Sequence, residues 1–150
     1  MDQSPVSIAK VHILVGTLAP TLPLTHFRVE PVEQTSFEDA NFDVVISSAV
    51  LHFAKTEKHW RSMVDEMWRV LKPGGLLFAR LASSIGIEGK ITPIEGRRYR
   101  LPDGTDRFLV DEEMLMRTSQ SLDGEWAEPL KTVVVQDIRS MSNWCLRKSL

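Results

Sequence analysis

Between residues 42 and 82 the spacing of apolar positions changes twice. FDVVISS at 42–48 is a short run rich in β-branched residues, the pattern of a strand buried on both faces. After the polar break AKTEKHW, the residues Trp60, Met63, Val64, Met67, Trp68, Val70 and Leu71 fall mostly three and four apart, which predicts a helix over 57–71 with one buried face. Lys72-Pro73-Gly74-Gly75 should end that helix, because proline removes an amide donor and glycine accepts a positive φ. A second apolar run, LLFARLA at 76–82, predicts another strand. Two buried strands joined by a helix of this length imply a right-handed βαβ unit in a parallel sheet.

The flanking segments are shorter and less regular. Residues 6–18 read as a helix with Ser4 as its cap and Pro5 at the first helical position, ended by Gly16 and then by Pro20 and Pro23. Residues 27–30 are a strand candidate stopped by Pro31, and 32–41 are a polar connection. Beyond Ser84, two glycine breaks and Pro93 predict a surface excursion, followed by a hairpin of 97–101 against 106–110 around Pro102-Asp103-Gly104-Thr105. Asp111 should cap a helix over 112–122 that Gly124 ends, and 131–137 with 142–147 predict an antiparallel pair closing the sheet.

A length of 150 residues and the absence of repeats suit one domain with one core. A net charge of -2 gives no electrostatic footprint for nucleic acid or an anionic membrane, although Arg97, Arg98 and Arg100 form a local basic knot. The one cysteine, Cys145, excludes an intrachain disulfide and fits a reducing compartment. No apolar run approaches a membrane span, and no basic flank with an apolar signal core opens the chain, so a cytoplasmic location is expected. His12, His26 and His59 share no metal spacing, and no metal site is expected.

In their order and spacing, FDVVISSAVLHF, the helix ending MWRVLKPGG, the strand LLFARLASS and a terminal strand pair ending NWCLRK resemble the C-terminal two thirds of a class I S-adenosylmethionine-dependent methyltransferase of the small-molecule type. The resemblance implies an α/β fold, a Rossmann-like sheet with an antiparallel C-terminal hairpin, which binds S-adenosylmethionine at the carboxyl ends of its first strands. Relative to that family the chain reads as N-terminally truncated and incomplete in its N-terminal half: the first strand and the GxGxG loop are absent, and none of the eight glycines is so arranged. Such a loop lets the backbone approach the cofactor and presents amides to its polar groups.

Carried over by position, Asp2 sits where the family's acid accepts both ribose hydroxyls; its alternative is a helix cap. Pro31 stands at the likely place of the acid that meets adenine, leaving the amide of Val32, with Glu33 or Glu30, as substitutes or as a plain solvated loop. Ser47 and Ser48 match the motif beside the transferring methyl, or else satisfy backbone groups at a strand end. His52 is the candidate general base of this stretch, unless it simply packs on its turn. Arg80, inside a strand, needs an acidic partner, an exit to solvent, or an anionic substrate. Ser83 and Ser84 open toward the substrate side, and Tyr99 with Arg97 and Arg98 belongs to a lid or to a solvated hairpin.

Methyl transfer depends mainly on alignment, so nitrogen, oxygen, carbon and sulfur acceptors all remain compatible. Removing the family's first two strands should leave an open apolar strand edge. Three outcomes follow: a methyltransferase completed by a second copy or a complementing chain, a noncatalytic methyltransferase-like binding or oligomerisation module, and a fragment of a longer enzyme.

Overall fold

In the computed structural model, which describes residues 1–150, the first helix begins where its capping chemistry dictates. Helix α1 spans Pro5–Leu18; Ser4 is extended and its side chain accepts from the amide of Ser7 at 3.2 Å. Gly16 does not stop it. The helix runs on to Leu18, and the amide of Ala19 closes the last turn on Val15 at 2.8 Å just before Pro20. The strand expected at 27–30 reduces to a single parallel bridge between Asp2 and Val29, held by the amide of Asp2 to the carbonyl of Arg28 and the amide of Glu30 to the carbonyl of Asp2, each 3.1 Å. These elements form one compact unit, Met1–Ser36, and Phe37–Leu150 forms a second.

The second unit contains the expected βαβ arrangement. Strand β1 is Phe42–Ser48, helix α2 is Glu57–Val70, and strand β2 is Leu71–Ser83, parallel to β1. Thr56 caps α2, accepting from the amide of His59 at 3.1 Å. Lys72-Pro73-Gly74-Gly75 is not the helix-to-strand turn that its composition suggests. Leu71 is already extended and pairs with Phe42, while Val44 pairs with Leu76, so residues 72–75 are a bulge inside β2. Gly74 takes a φ of 75° there, and a Cβ on Gly75 would lie 2.7 Å from Leu71 Cδ1.

Past β2 come β3 (Thr92–Glu95), β4 (Arg98–Arg100) and β5 (Asp106–Phe108), then α3 (Glu112–Ser121) and strands β6 (Gly124–Trp126), β7 (Lys131–Val135) and β8 (Arg139–Lys148). Asp111 caps α3 by accepting from Met114 at 2.8 Å. The main sheet runs β1-β2-β8-β6, with β7 also paired to β8. The expected closing hairpin is therefore present, but β8 is longer than its apolar pattern indicates and is inserted antiparallel beside β2. Strands β3, β4 and β5 form a separate antiparallel sheet rather than one hairpin; β3 carries Pro93 and no buried residue, so its sequence gives no strand signal.

Register sorts the main sheet into two faces. Leu77, Ala79 and Leu81 of β2 lie opposite Leu146, Trp144 and Ser142 of β8, all buried. Helices α2 and α3 cover this face: Trp60 stacks between Phe108 and Trp144, and Trp144 Nε1 donates to Ser119 Oγ at 3.1 Å. The other face carries Val44, Ile46, Phe78 and Cys145, of which Val44 and Ile46 are 51% and 71% exposed. The expectation that β1 is buried on both faces is thus overturned. It is an edge strand whose one partner is β2, and burial comes from neighbours rather than from its own composition. No helix is long and apolar enough to cross a membrane.

Candidate functional site

A cavity of about 320 Å³ lies outside the carboxyl ends of the parallel strands β1 and β2. Ligands commonly settle at such strand ends in open α/β sheets. Five pieces of chain build it. Ala49 follows β1 directly and takes a φ of 60°, the left-handed region, with its amide held by the carbonyl of Arg80 at 2.8 Å. That reversal leads into the short 3-10 turn Leu51–Phe53, which buries His52. Strand β2 contributes Arg80 and Ala82, the β4–β5 turn contributes Leu101, Asp103 and Thr105, and β5 contributes Arg107. Val135, Arg139 and Met141 come from the β7–β8 hairpin, whose tight reversal has positive φ at both Gln136 and Asp137 and an amide-to-carbonyl bond from Ile138 to Val135 at 3.0 Å.

Charge in this cavity is unbalanced. Three arginines face one carboxylate, and that carboxylate is occupied by its own turn: Asp103 Oδ1 accepts from Thr105 N at 2.9 Å and from Thr105 Oγ1 at 2.6 Å. These bonds, with weaker help from Arg107 and Arg139, hold Asp103 below the usual carboxylate range. Arg80 and Arg139 form no ion pair. Arg107 stacks its guanidinium 5.0 Å above the ring of Phe53 and donates to the carbonyl of Asp106 at 2.7 Å. His52 is 8% exposed, and its Nδ1 is buried with no hydrogen-bond partner. Burial, then the charges of Arg107 and Arg80, pushes its pKa down to about 4, so the ring is neutral at pH 7.

Of the residues singled out from the sequence, His52 and Arg80 meet in this cavity. Ser47 points to the helix-covered face, buried, with its Oγ unpartnered, while Ser48 is exposed on the opposite face. Ser83 is fully buried, and its hydroxyl is engaged with Ser140 at 3.1 Å and Ser142 at 2.8 Å, in a chain that continues to Thr132. Ser84 bonds through its amide to the carbonyl of Val110 at 2.9 Å. Tyr99 packs against the small core of Ala82, Ile87, Leu101 and Leu109. The basic knot is largely neutralised, Arg97 by Asp111 at 2.9 Å and Arg100 by Asp106.

Within the first unit, Asp2 Oδ1 accepts from the amide of Ser4 at 2.7 Å, so the side chain caps the chain ahead of α1. The carboxylate of Glu30 is taken by Ser36, through its amide at 3.0 Å and its hydroxyl at 2.5 Å, which lowers its pKa. Val32 and Glu33 lie in the turn region that follows Pro31.

Arg107 and Arg139 went unnoticed in the sequence. Arg107 carried no signal of its own, because its place opposite Tyr99 comes from a β4–β5 register that the sequence does not fix. Arg139 had none, because its position depends on how β8 inserts beside β2.

Comparison with known proteins bears on the family and the fold. The profile of a family described as a methyltransferase domain matches residues 1–79. Arsenite methyltransferase of Mus musculus is 28% identical over 83 residues, covering 52% of this chain and 21% of that protein, so the chain spans about a fifth of this curated relative. A solved S-adenosylmethionine-dependent methyltransferase of Methanosarcina mazei superposes with a TM-score of 0.74 at 21% identity, over 99% of this chain and 80% of that one. The N-methyltransferase NodS of Bradyrhizobium japonicum, solved with S-adenosylhomocysteine, gives 0.65 at 14% identity, over 98% and 64% of the two chains. At these identities the likeness is one of fold, the Rossmann-like sheet with its antiparallel C-terminal pair.

Proposed function

Because the chain belongs to the methyltransferase-domain family, we propose that it acts in S-adenosylmethionine-dependent methyl transfer to a small-molecule acceptor, with the acceptor bound in the cavity beside His52 and Arg80. The observation that carries this reading is the placement of that cavity at the carboxyl ends of β1 and β2, in a chain whose first 79 residues match the family.

The residues present fit part of the cofactor, each unit taken by itself. In the first, Asp2 carries an exposed carboxylate with one oxygen turned to Ser4, which suits a ribose diol; the amide of Val32, with Glu33 nearby, suits adenine. In the second, the unpartnered Oγ of Ser47 and the exposed Ser48 are the polar groups at the end of β1. No GxGxG cradle for the methionine end occurs in the sequence. When bound, S-adenosylmethionine supplies a methyl group activated by its sulfonium.

The protein's own contribution is alignment and exclusion of water. Ala82, Leu101 and Met141 give the cavity apolar walls, and the β4–β5 turn closes one side of it. His52 lines the cavity and is neutral at pH 7, which supports a role for its ring as a hydrogen-bond partner of the acceptor molecule. A pKa of about 4 makes it a poor proton store in the empty cavity, so orienting the acceptor is its first role.

Calorimetric titration of the 150-residue chain with S-adenosylhomocysteine, together with its mass in solution, tests the reading. Saturable but weak binding is expected, with a dissociation constant of roughly 100 μM, because several backbone hydrogen bonds of the cradle are missing. Asp2→Ala should weaken it further. No saturable heat from a folded, monodisperse sample would refute the reading. The noncatalytic-module alternative, favoured by the unpaired edge of β1 and the missing loop, would then stand.

A further inference from the structure

Resting on the methyl-transfer reading of this cavity, we propose that its acceptor is a small anionic molecule, with an apolar body against Ala82, Leu101 and Met141 and a carboxylate or phosphate held by Arg80, Arg107 and Arg139.

The three guanidinium groups come from three separate strands or strand ends, β2, β5 and β8, and reach one concavity. Elsewhere most arginines are paired, Arg61 with Asp65, Arg69 with Glu66 and Asp39, Arg97 with Asp111, Arg100 with Asp106, and Arg117 with Glu113, while Arg98 and Arg147 have no carboxylate partner but stand apart from one another rather than sharing a cavity. In the cavity Arg80 and Arg139 have no carboxylate, and the one acid available, Asp103, is bound by Thr105. Three like charges gathered about a single carboxylate, Asp103, leave the cavity with an excess of positive charge, which a bound anion offsets. Arginine is also the side chain whose fixed fork of donors matches carboxylate and phosphate oxygens.

A second, independent observation points to the same ligand. His52 lines the cavity, and its Nδ1 is buried without a hydrogen-bond partner, a cost that a polar ligand atom reaching it on binding would remove. The charged groups that line the cavity with it are Arg80, Arg107, Arg139 and Asp103. An anion among the arginines offsets the smaller, electrostatic part of the depression at His52, while the larger part, from burial, remains. The volume, about 320 Å³, suits a molecule of one ring or a short chain. An overall charge of -2 and the concave shape argue against a nucleic-acid backbone as the source of the anion.

The test is titration of the full chain with benzoate, phenyl phosphate and benzyl alcohol, in the absence of cofactor, followed by chemical shifts and by heat. Benzoate or phenyl phosphate should bind at least about tenfold more tightly than benzyl alcohol, with the advantage shrinking as salt is raised. The tighter of the two anions tells a carboxylate site from a phosphate site. Arg80→Gln and Arg139→Gln, both at exposed positions, should each lose about tenfold in anion affinity; Arg107→Lys should lose less than Arg107→Gln, and Arg61→Gln should change nothing. The His52 ring signal should titrate at higher pH with benzoate bound. Equal binding of benzyl alcohol, or unchanged anion affinity in the Arg80→Gln, Arg139→Gln double variant, would overturn the proposal. Since no cofactor is present, this outcome is separate from a failure of S-adenosylhomocysteine binding, which bears on the methyl-transfer reading alone.

Discussion

His52 should make the protein's stability depend on pH in a defined window. Its pKa falls from 6.5 to about 4, chiefly through burial and then through Arg107 and Arg80. At about 1.4 kcal/mol per pH unit, the folded state disfavours the imidazolium by about 3 kcal/mol. In the unfolded chain the same ring titrates near its ordinary value. Between pH 6.5 and about 4 the unfolded state therefore carries a proton that the folded state lacks, and stability falls as pH falls through that window. Above 6.5 the contribution is complete, and below about 4 no further loss comes from this group. At pH 5 the loss relative to pH 7 is about 2 kcal/mol.

The perturbation is His52→Gln, which keeps a polar side chain and removes the titration. Urea unfolding of both proteins, followed by tryptophan fluorescence at pH 7 and pH 5, gives the two stability differences. The carboxylates that also titrate on acidification, Asp103, Asp106, Glu30 and Glu88 among them, are common to both proteins and cancel in the comparison. The wild type should lose about 2 kcal/mol more than the variant over that interval. Parallel losses would show that His52 is hydrated in the folded state, and would remove the unpartnered Nδ1 from the account of the cavity.

Ala49 sits at a φ of 60°, where a side chain costs about 1 kcal/mol, so Ala49→Gly should stabilise the fold by up to that amount in the same unfolding assay. Ser47 Oγ is buried without a partner, so Ser47→Ala should be neutral or stabilising by about 1 kcal/mol; a simultaneous drop in S-adenosylhomocysteine affinity would place the hydroxyl at the cofactor. Gly75→Ala would force a Cβ within 3 Å of Leu71 and of the carbonyl of Lys72, and should cost about 1–3 kcal/mol by denaturant melts.

How much of this was legible in the sequence depends on how local the deciding physics is. Ser4 and Asp111 as caps, or the spacing of Trp60, Met63, Val64 and Met67, act within one or two helical turns, and helices starting at Pro5, Glu57 and Glu112 follow. Lys72-Pro73-Gly74-Gly75 misled because its residues are equally suited to a turn and to a bulge, and the choice was made by the pairing of Leu71 with Phe42. Burial of β1 was misjudged for a related reason. A β-branched run records a preference for a packed sheet, but whether both faces are covered is decided by helices and strands elsewhere in the chain.

The site shows the same division more sharply. Arg80 announced itself as an arginine without a partner in an apolar strand, and His52 as a polar ring in an apolar turn; each is a local conflict between residue and surroundings. Arg107 and Arg139 are ordinary residues of polar hairpins, and their meaning arises when β5 and β8 bring them to Arg80. A cluster of like charges assembled from distant strands brings folding no electrostatic gain of its own. Neutral side chains would pack the same rim without repulsion, while most of the fold's other arginines found carboxylates a few residues or one element away. The strained Ala49 and the orphaned His52 nitrogen lie on the same rim. Costs of three kinds concentrated in one cavity, a strained backbone, an orphaned nitrogen and an excess of positive charge, are the physical ground for proposing that a ligand binds there.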